Sequence, residues 1–256
     1  MKKVSIITIN LNNAEGLERT IKSVAAQVTG DFEFIIVDGA SSDNSANVIE
    51  KWLNVITSYV SEKDSGIYEA MNKGIKMSCG EYLLFLNSGD YLAGAHVLES
   101  VIPLLDTEDV IGGKIIKLVD GKEHIIDSPP AITIDWFLDV SLHHQATFVR
   151  RSLFEAHGYY NETYRLGGDY EFFVRTLLKE RGTYKNIPKV VCYFPADGIS
   201  NQQKWLKINS EEKERTWNMH FGKTVRETIE AYGALRSSRE MKWGRRIMKR
   251  LSFLKK

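Results

Sequence analysis

Two almost unbroken apolar runs, at residues 4–9 and 33–37, constrain this chain more than any other feature. A strand with one face in water alternates apolar and polar residues. A strand that is apolar throughout is buried on both faces, as in the centre of a parallel sheet covered by helices. Around these runs the pattern changes to helical spacing. Strands are expected at 4–10, 33–38, near 55–60 and at 82–87, with helices at 14–27, 44–53 and 66–78. Strand alternating with helix is how a mostly parallel, Rossmann-like α/β sheet reads in sequence. From 95 to 135 a helix, the run Val110, Ile111, Gly112, Gly113, Lys114, Ile115, Ile116 and the turn Asp120-Gly121 point to mixed, antiparallel structure. A strand at 145–150, helices at 152–157 and 169–180, and strands near 183–195 complete the main domain.

The 256 residues suffice for one large domain with an appendage. A hydrophobic fraction of 43% and a charged fraction of 26% exclude disorder and a membrane-embedded class. The net charge of +1 names no partner. Cys79 and Cys192 are too few for a disulfide framework and lack zinc-ligand spacing, which implies a reducing compartment. The start Met1-Lys2-Lys3 is basic, but the apolar run after it is short and reaches Asn10, Asn12 and Asn13, so it reads as a first strand and not a signal peptide. No run approaches the roughly 20 apolar residues needed to cross a bilayer. The expectation is a cytoplasmic protein whose membrane contact, where there is any, is peripheral.

After about residue 200 the strand signals stop, so the expected domains are 1–200 and a helical appendage at 201–256. The stretch 236–256 carries nine Lys and Arg against one Glu, and Met241, Ile247, Met248, Leu251 and Leu254 fall mainly on one helical face. Two readings of this basic amphipathic helix stand level: packing on the main domain, or docking on anionic lipid at the inner face of the plasma membrane. Nucleic acid is a weaker third and is not an expected partner. The sequence leaves the oligomeric state open.

Ligands of open α/β sheets bind outside the carboxyl ends of the strands, so polar residues directly after apolar runs are the first candidates. Here these are 10–13, 38–43 and 87–90, joined by 61–74 after the third strand. Each has a plainer reading. Asp43 suits a helix N-cap or first turn, and the small residues at 39–42 suit a turn. Together they converge on one edge. No G-x-G-x-x-G follows the first strand and no G-K-[ST] occurs, so a glycine-rich phosphate cradle is missing. A hard cation, Mg²⁺ or Mn²⁺, would take that task with one or two carboxylates and substrate phosphates, which suits Asp90 at a strand end.

Residues 4–8, 34–43, 64–74, 85–90 and the run Gly168-Asp169-Tyr170-Glu171 resemble, in order and spacing, the motifs of family 2 glycosyltransferases. The resemblance implies the GT-A fold and inversion at the anomeric carbon of a nucleotide sugar. It implies that Asp38 bonds the nucleotide base and that Asp64 lies near base or ribose, with Thr8, Asn10, Ala40, Lys73, Asn87 and Ser88 in the same donor site. Asp90 falls in the family's D-x-D element and is the implied metal ligand. That element departs from the pattern, with Asn87 and Gly89 where acids are common. Asp169 resembles the catalytic base, a carboxylate that takes a proton from the attacking hydroxyl. A capping role at a helix start is its alternative. Glu171, two residues on, would point about 200° away around the helix.

Of the adjacent pair His143 and His144, only one can face the site along a strand, and His144 is favoured on the acceptor or diphosphate side, against a plain loop histidine. Trp136 and Tyr91 offer faces for a sugar, against a core role. Lys73 and Arg175 are either phosphate partners or solvated helix residues. The expected activity is inverting, metal-dependent transfer of a hexose-type unit, from a UDP-sugar by family habit, to a saccharide or lipid-linked saccharide in surface polysaccharide assembly. Two alternatives stand: a nucleotidyltransferase making nucleotide sugars, and a non-catalytic sugar-nucleotide or carbohydrate-binding protein. The first lacks its glycine-rich loop, and Asp169 speaks against the second.

Overall fold

In chain order, a computed structural model gives β1 (Val4–Asn10), α1 (Ala14–Ala25), β2 (Phe32–Asp38), α2 (Ser45–Lys51), β3 (Ser58–Ser61), α3 (Ile67–Met77) and β4 (Tyr82–Phe85). There follow β5 (Tyr91–Leu92), α4 (Val97–Val101), β6 (Val110–Val119), β7 (Lys122–Ile126), α5 (Ile134–Asp139), β8 (Thr147–Arg150) and α6 (Arg151–His157). α7 (Gly168–Phe173), β9 (Tyr184–Pro195) and α8 (Leu206–Phe221) close the order. The residues described are 2–119, 121–195, 205–225, 227, 228 and 231. Asp120 and the basic stretch 236–256 lie outside them. By packing, one unit spans Met1–Lys213 and a second Glu214–Lys256. No helix among the described residues is long and apolar enough to cross a membrane.

Among the described residues one nine-stranded sheet runs in the order β3-β2-β1-β4-β8-β6-β9-β5, with β7 paired to β6. β3, β2, β1 and β4 are parallel, whereas β8 joins β4 antiparallel and β6 joins β8 antiparallel. The switch from parallel to mixed therefore falls where the sequence places it. β1 and β2 are central and almost wholly buried, as their unbroken apolar runs require. The helices cover the faces. On α1 the buried residues Gly16, Leu17, Thr20, Ile21 and Val24 recur on one side, and the Asn13 side chain accepts from the Gly16 amide at 3.2 Å to start the helix.

Asp43 does serve helix starts: its carboxylate accepts from the amides of Ala14 at 2.9 Å and Ser45 at 3.0 Å, joining the first turns of α1 and α2. Three details went unread in the sequence. β5 is too short to carry a periodic signal, β7 is an exposed hairpin partner of β6, and α5 is a helix of six residues started by Thr133, whose hydroxyl accepts from the Trp136 amide. The helix expected at 169–180 changes character after α7, continuing as a π-helical turn over Val174–Lys179. Such turns concentrate at functional sites.

Candidate active site

Strand register puts the first group of polar residues side by side. Asn10 pairs with Asp38 across β1 and β2, and Asp38 with Ser61 across β2 and β3. Asp38 is 2% exposed, and its carboxylate accepts from Asn10 Nδ2 at 2.8 Å, Ser41 Oγ at 2.6 Å, the Ser41 amide at 2.9 Å and Ser61 Oγ at 2.7 Å. Burial alone would push its pKa up, but these donors outweigh it and hold the acid below its usual value. Asp38 thus organises the loop after β2. Ala40, exposed at the loop tip, takes a left-handed φ of 58°.

Asp64 borders the same loop. A Cβ on Gly39 would stand 2.8 Å from Asp64 Oδ2, so the two segments approach closely and any larger residue would have to displace the Asp64 carboxylate. Asp64 is half-buried, and burial, reinforced by the charges of Glu69 and Asp38, raises its pKa against the pull of Lys73. Lys73 lies close, but its ammonium is spent on Glu62 at 2.9 Å, Glu69 at 3.0 Å and the Lys63 carbonyl at 3.0 Å. Thr8 is fully buried and donates its hydroxyl to the Leu86 carbonyl at 2.6 Å, so it lies within the sheet beneath this edge.

The loop after β4 is tied to the loop after β1. Asn13 donates to the Ser88 carbonyl at 3.1 Å, Ser88 Oγ donates to the Asn13 carbonyl at 3.2 Å, and Thr20 Oγ1 donates to the Asp90 carbonyl at 2.6 Å. Gly89, at φ 109°, makes the turn between Ser88 and Asp90. A hard cation shared with a diphosphate needs only one or two protein oxygens. The donors here suit it: Asp90 supplies a carboxylate, and Asn87 Oδ1 is buried with no hydrogen-bond partner. Among the described residues no cluster of three His, Cys, Asp or Glu side chains offers an all-protein site.

Asp169 comes to the same place from the far part of the chain. Its Oδ2 lies 3.1 Å from His144 Nδ1 and its Oδ1 lies 3.1 Å from the Tyr68 hydroxyl. On the other side of the ring, His144 Nε2 lies 3.2 Å from Asn87 Nδ2. A hydrogen-bonded line thus runs from the β4 loop through His144 to Asp169. The side chains of His144 and Asp169 are 19% and 16% exposed, enough to meet a ligand and little enough to be poorly screened. Burial would lower the imidazole's pKa, but the bond to Asp169 and its charge win and raise it; in the same way, the bond from His144 and its charge overcome burial and lower that of Asp169. Asn87 donates to Nε2 only while that nitrogen carries no proton.

His143, its neighbour, is pushed down to about 4 by burial and by His144. Glu171 turns away from Asp169, buried at 2% and paired with Arg175 at 2.8 Å, and Arg175 also donates to the carbonyls of His157 and Tyr159. Arg175 is therefore a brace. Trp136, half-buried on α5, sits edge-on to Phe137, whose carbonyl accepts from Tyr170 Oη at 2.6 Å, so α5 rests beside the helix bearing Asp169. Tyr91 stacks on Tyr193 at 4.9 Å. Tyr68 is the site residue that the sequence reading missed. It lies inside the motif at 64–74, but nothing local marks a tyrosine whose hydroxyl meets a carboxylate 101 residues away.

The family model described as "Glycosyl transferase family 2" matches residues 5–157. A PGL/p-HBAD biosynthesis glycosyltransferase of Mycobacterium bovis is 34% identical over 205 residues, covering 77% of this chain and 78% of that protein. An uncharacterized glycosyltransferase of Mycobacterium tuberculosis is 32% identical over 208 residues, covering 78% of each. Among solved structures, S. aureus TarS 1-349 in complex with UDP-GlcNAc superposes with a TM-score of 0.64 at 20% identity, over 75% of this chain and 58% of that one. The mannosyltransferase PcManGT of Pyrobaculum calidifontis, in complex with GDP-Man and Mn2+, gives 0.63 at 17% identity, over 88% and 64%. This chain thus spans less than two thirds of either solved chain, and these likenesses speak for the GT-A fold alone. With the family model matching well over half the sequence, the chain belongs to glycosyl transferase family 2 and is a glycosyltransferase of GT-A fold.

Proposed function

We propose that this enzyme transfers a sugar from a nucleoside diphosphate sugar to a hydroxyl of a saccharide or lipid-linked acceptor, with inversion, and that Asp169 is the base. The observation that carries the proposal is the line Asn87–His144–Asp169, which joins the strand-end loops to a carboxylate from a distant segment. TarS and PcManGT, with the same fold, hold UDP-GlcNAc and GDP-Man in their solved complexes. The mycobacterial relative is named for PGL/p-HBAD biosynthesis, which supports a transferase acting in the assembly of a larger glycosylated product.

In this account the loops after β1, β2 and β3, ordered by Asp38 and bordered by Asp64, hold the nucleoside. Asn87 and Asp90 would hold a divalent cation with the diphosphate, and the cation would neutralise the charge of the departing group. Asp169, kept anionic by His144, accepts the proton of the attacking hydroxyl. His144 orients that carboxylate through Nδ1 and faces the β4 loop through Nε2. Trp136 offers an aromatic face beside α7 for the acceptor. The donor base and sugar are expected to emerge from a thermal-shift screen of UDP, GDP, dTDP and CDP sugars with and without Mn²⁺, since a ligand of the native state raises the melting temperature.

The roles separate by substitution. Asp169→Asn is expected to lower kcat by about 10² or more with donor affinity unchanged, whereas Asp90→Ala weakens Mn²⁺-supported donor binding. Donor binding by calorimetry and turnover by nucleoside diphosphate release measure the two. Equal loss of donor affinity in both variants rejects the assignment.

A further inference from the structure

Three consecutive backbone amides just before Asp169 converge on one buried carboxylate. Glu212, on α8, accepts from the Arg165 amide at 2.6 Å through Oε1, and from the Leu166 amide at 3.0 Å and the Gly167 amide at 2.7 Å through Oε2. Glu212 is 8% exposed. Successive N–H groups around an anion form a nest that fixes the backbone carrying them. Glu212 lies outside the stretch matched by the family model and within the part of the chain read from sequence as an appendage.

The backbone it fixes leads to the base by two short routes. Gly167 is the N-cap residue of α7, whose second residue is Asp169. The Leu166 carbonyl accepts from the Tyr68 hydroxyl at 2.6 Å, and that hydroxyl lies 3.1 Å from Asp169 Oδ1. The packing here is close: a Cβ on Gly167 would stand 3.2 Å from Glu212 Oε2, a tight contact, and one on Gly168 would stand 2.8 Å from the Tyr68 ring, where something must shift. Glu212, the loop, Tyr68 and Asp169 are therefore linked through successive contacts.

We propose that Glu212 is a positioning residue for the base: by holding the amides of 165–167 it sets the start of α7 and the Tyr68 hydroxyl, and through both the direction of the Asp169 carboxylate. The proposal rests on Asp169 being the base, and its test has an arm that does not. Glu212→Gln keeps the shape but replaces one acceptor oxygen by a donor, so at least one of the three amides meets an N–H instead of an oxygen. In a crystal structure of Glu212→Gln, the Asp169 carboxylate is expected to leave its 3.1 Å contact with His144. In kinetics kcat is expected to fall by about tenfold or more with the donor KM unchanged, since the donor loops are untouched.

In an Asp169→Asn background the same change is expected to cost less than about twofold more, because residues acting as a unit are not additive. An Asp169 carboxylate still on His144 in the variant crystal, or a full additional loss in the Asp169→Asn background, overturns the proposal. A fully active Asp169→Asn rejects Asp169 as base and leaves the crystal arm to decide what Glu212 holds. Should Glu212→Gln not fold, Glu212→Asp, which keeps the charge on a shorter stem, is put through the same measurements with the same outcomes expected.

Discussion

At the scale of single residues, the site separates side chains that hold structure from those left to meet a ligand. Asp38 carries four donors and Thr8 is buried with its hydroxyl spent, so these motif residues shape the loops from within. Asp64, half-buried with a raised pKa, and Asn87, with an unpartnered Oδ1, are the ones with capacity to spare. For Asp38 the consequence is measurable. A carboxylate whose pKa is depressed on folding contributes stability in full above its unfolded value, and that contribution is lost as pH falls through the lower folded value. Asp38→Asn is therefore expected to cost about 1–3 kcal/mol of unfolding free energy at neutral pH. The gap from the parent should narrow in acid, below the ordinary value of 3.8. Urea unfolding of both proteins across that range checks it; a gap independent of pH contradicts it.

At the scale of elements, each central strand has a structural end and a chemical end. β2 closes with Asp38 at the site, and near its start Glu33 is buried at 6%, accepting from Ser5, from the amides of Cys79 and Gly80, and so anchoring the entry to β4. α7 is seated by rings. Phe172 stacks on Phe154 at 4.3 Å and meets Tyr160 edge-on at 5.2 Å, and Tyr160 in turn lies 5.6 Å from Tyr68. Such contacts fix the orientation of the helix as well as burying area. Gly168→Ala drives a Cβ into the Tyr68 ring, so it is expected to cost about tenfold or more in kcat. Gly30→Ala, with nothing within 4 Å of its added carbon, serves as the control and should leave kcat alone. Steady-state kinetics of the two variants decides; equal kcat in both removes the claimed role of the ring.

At the scale of the molecule, what the sequence disclosed follows from what is local. The buried strands announced themselves because their apolar residues are contiguous, and the strand-end loops because polar residues follow them at once. The change to antiparallel pairing was legible in Gly112, Gly113 and the turn before β7. Contacts between distant segments were not. Nothing near His144 or Asp169 in sequence says that they meet 25 residues apart, or that Tyr68 joins them, or that Glu212 grips the loop before α7 from 45 residues on. α5 was missed because six residues are too few for a helical period to declare itself. The central claim is that one carboxylate, Asp169, serves a single displacement at the anomeric carbon. The anomeric configuration of freshly formed product, read by proton NMR against that of the donor, tests it most directly. Inversion is the expected result, and retention of the donor's configuration would contradict it.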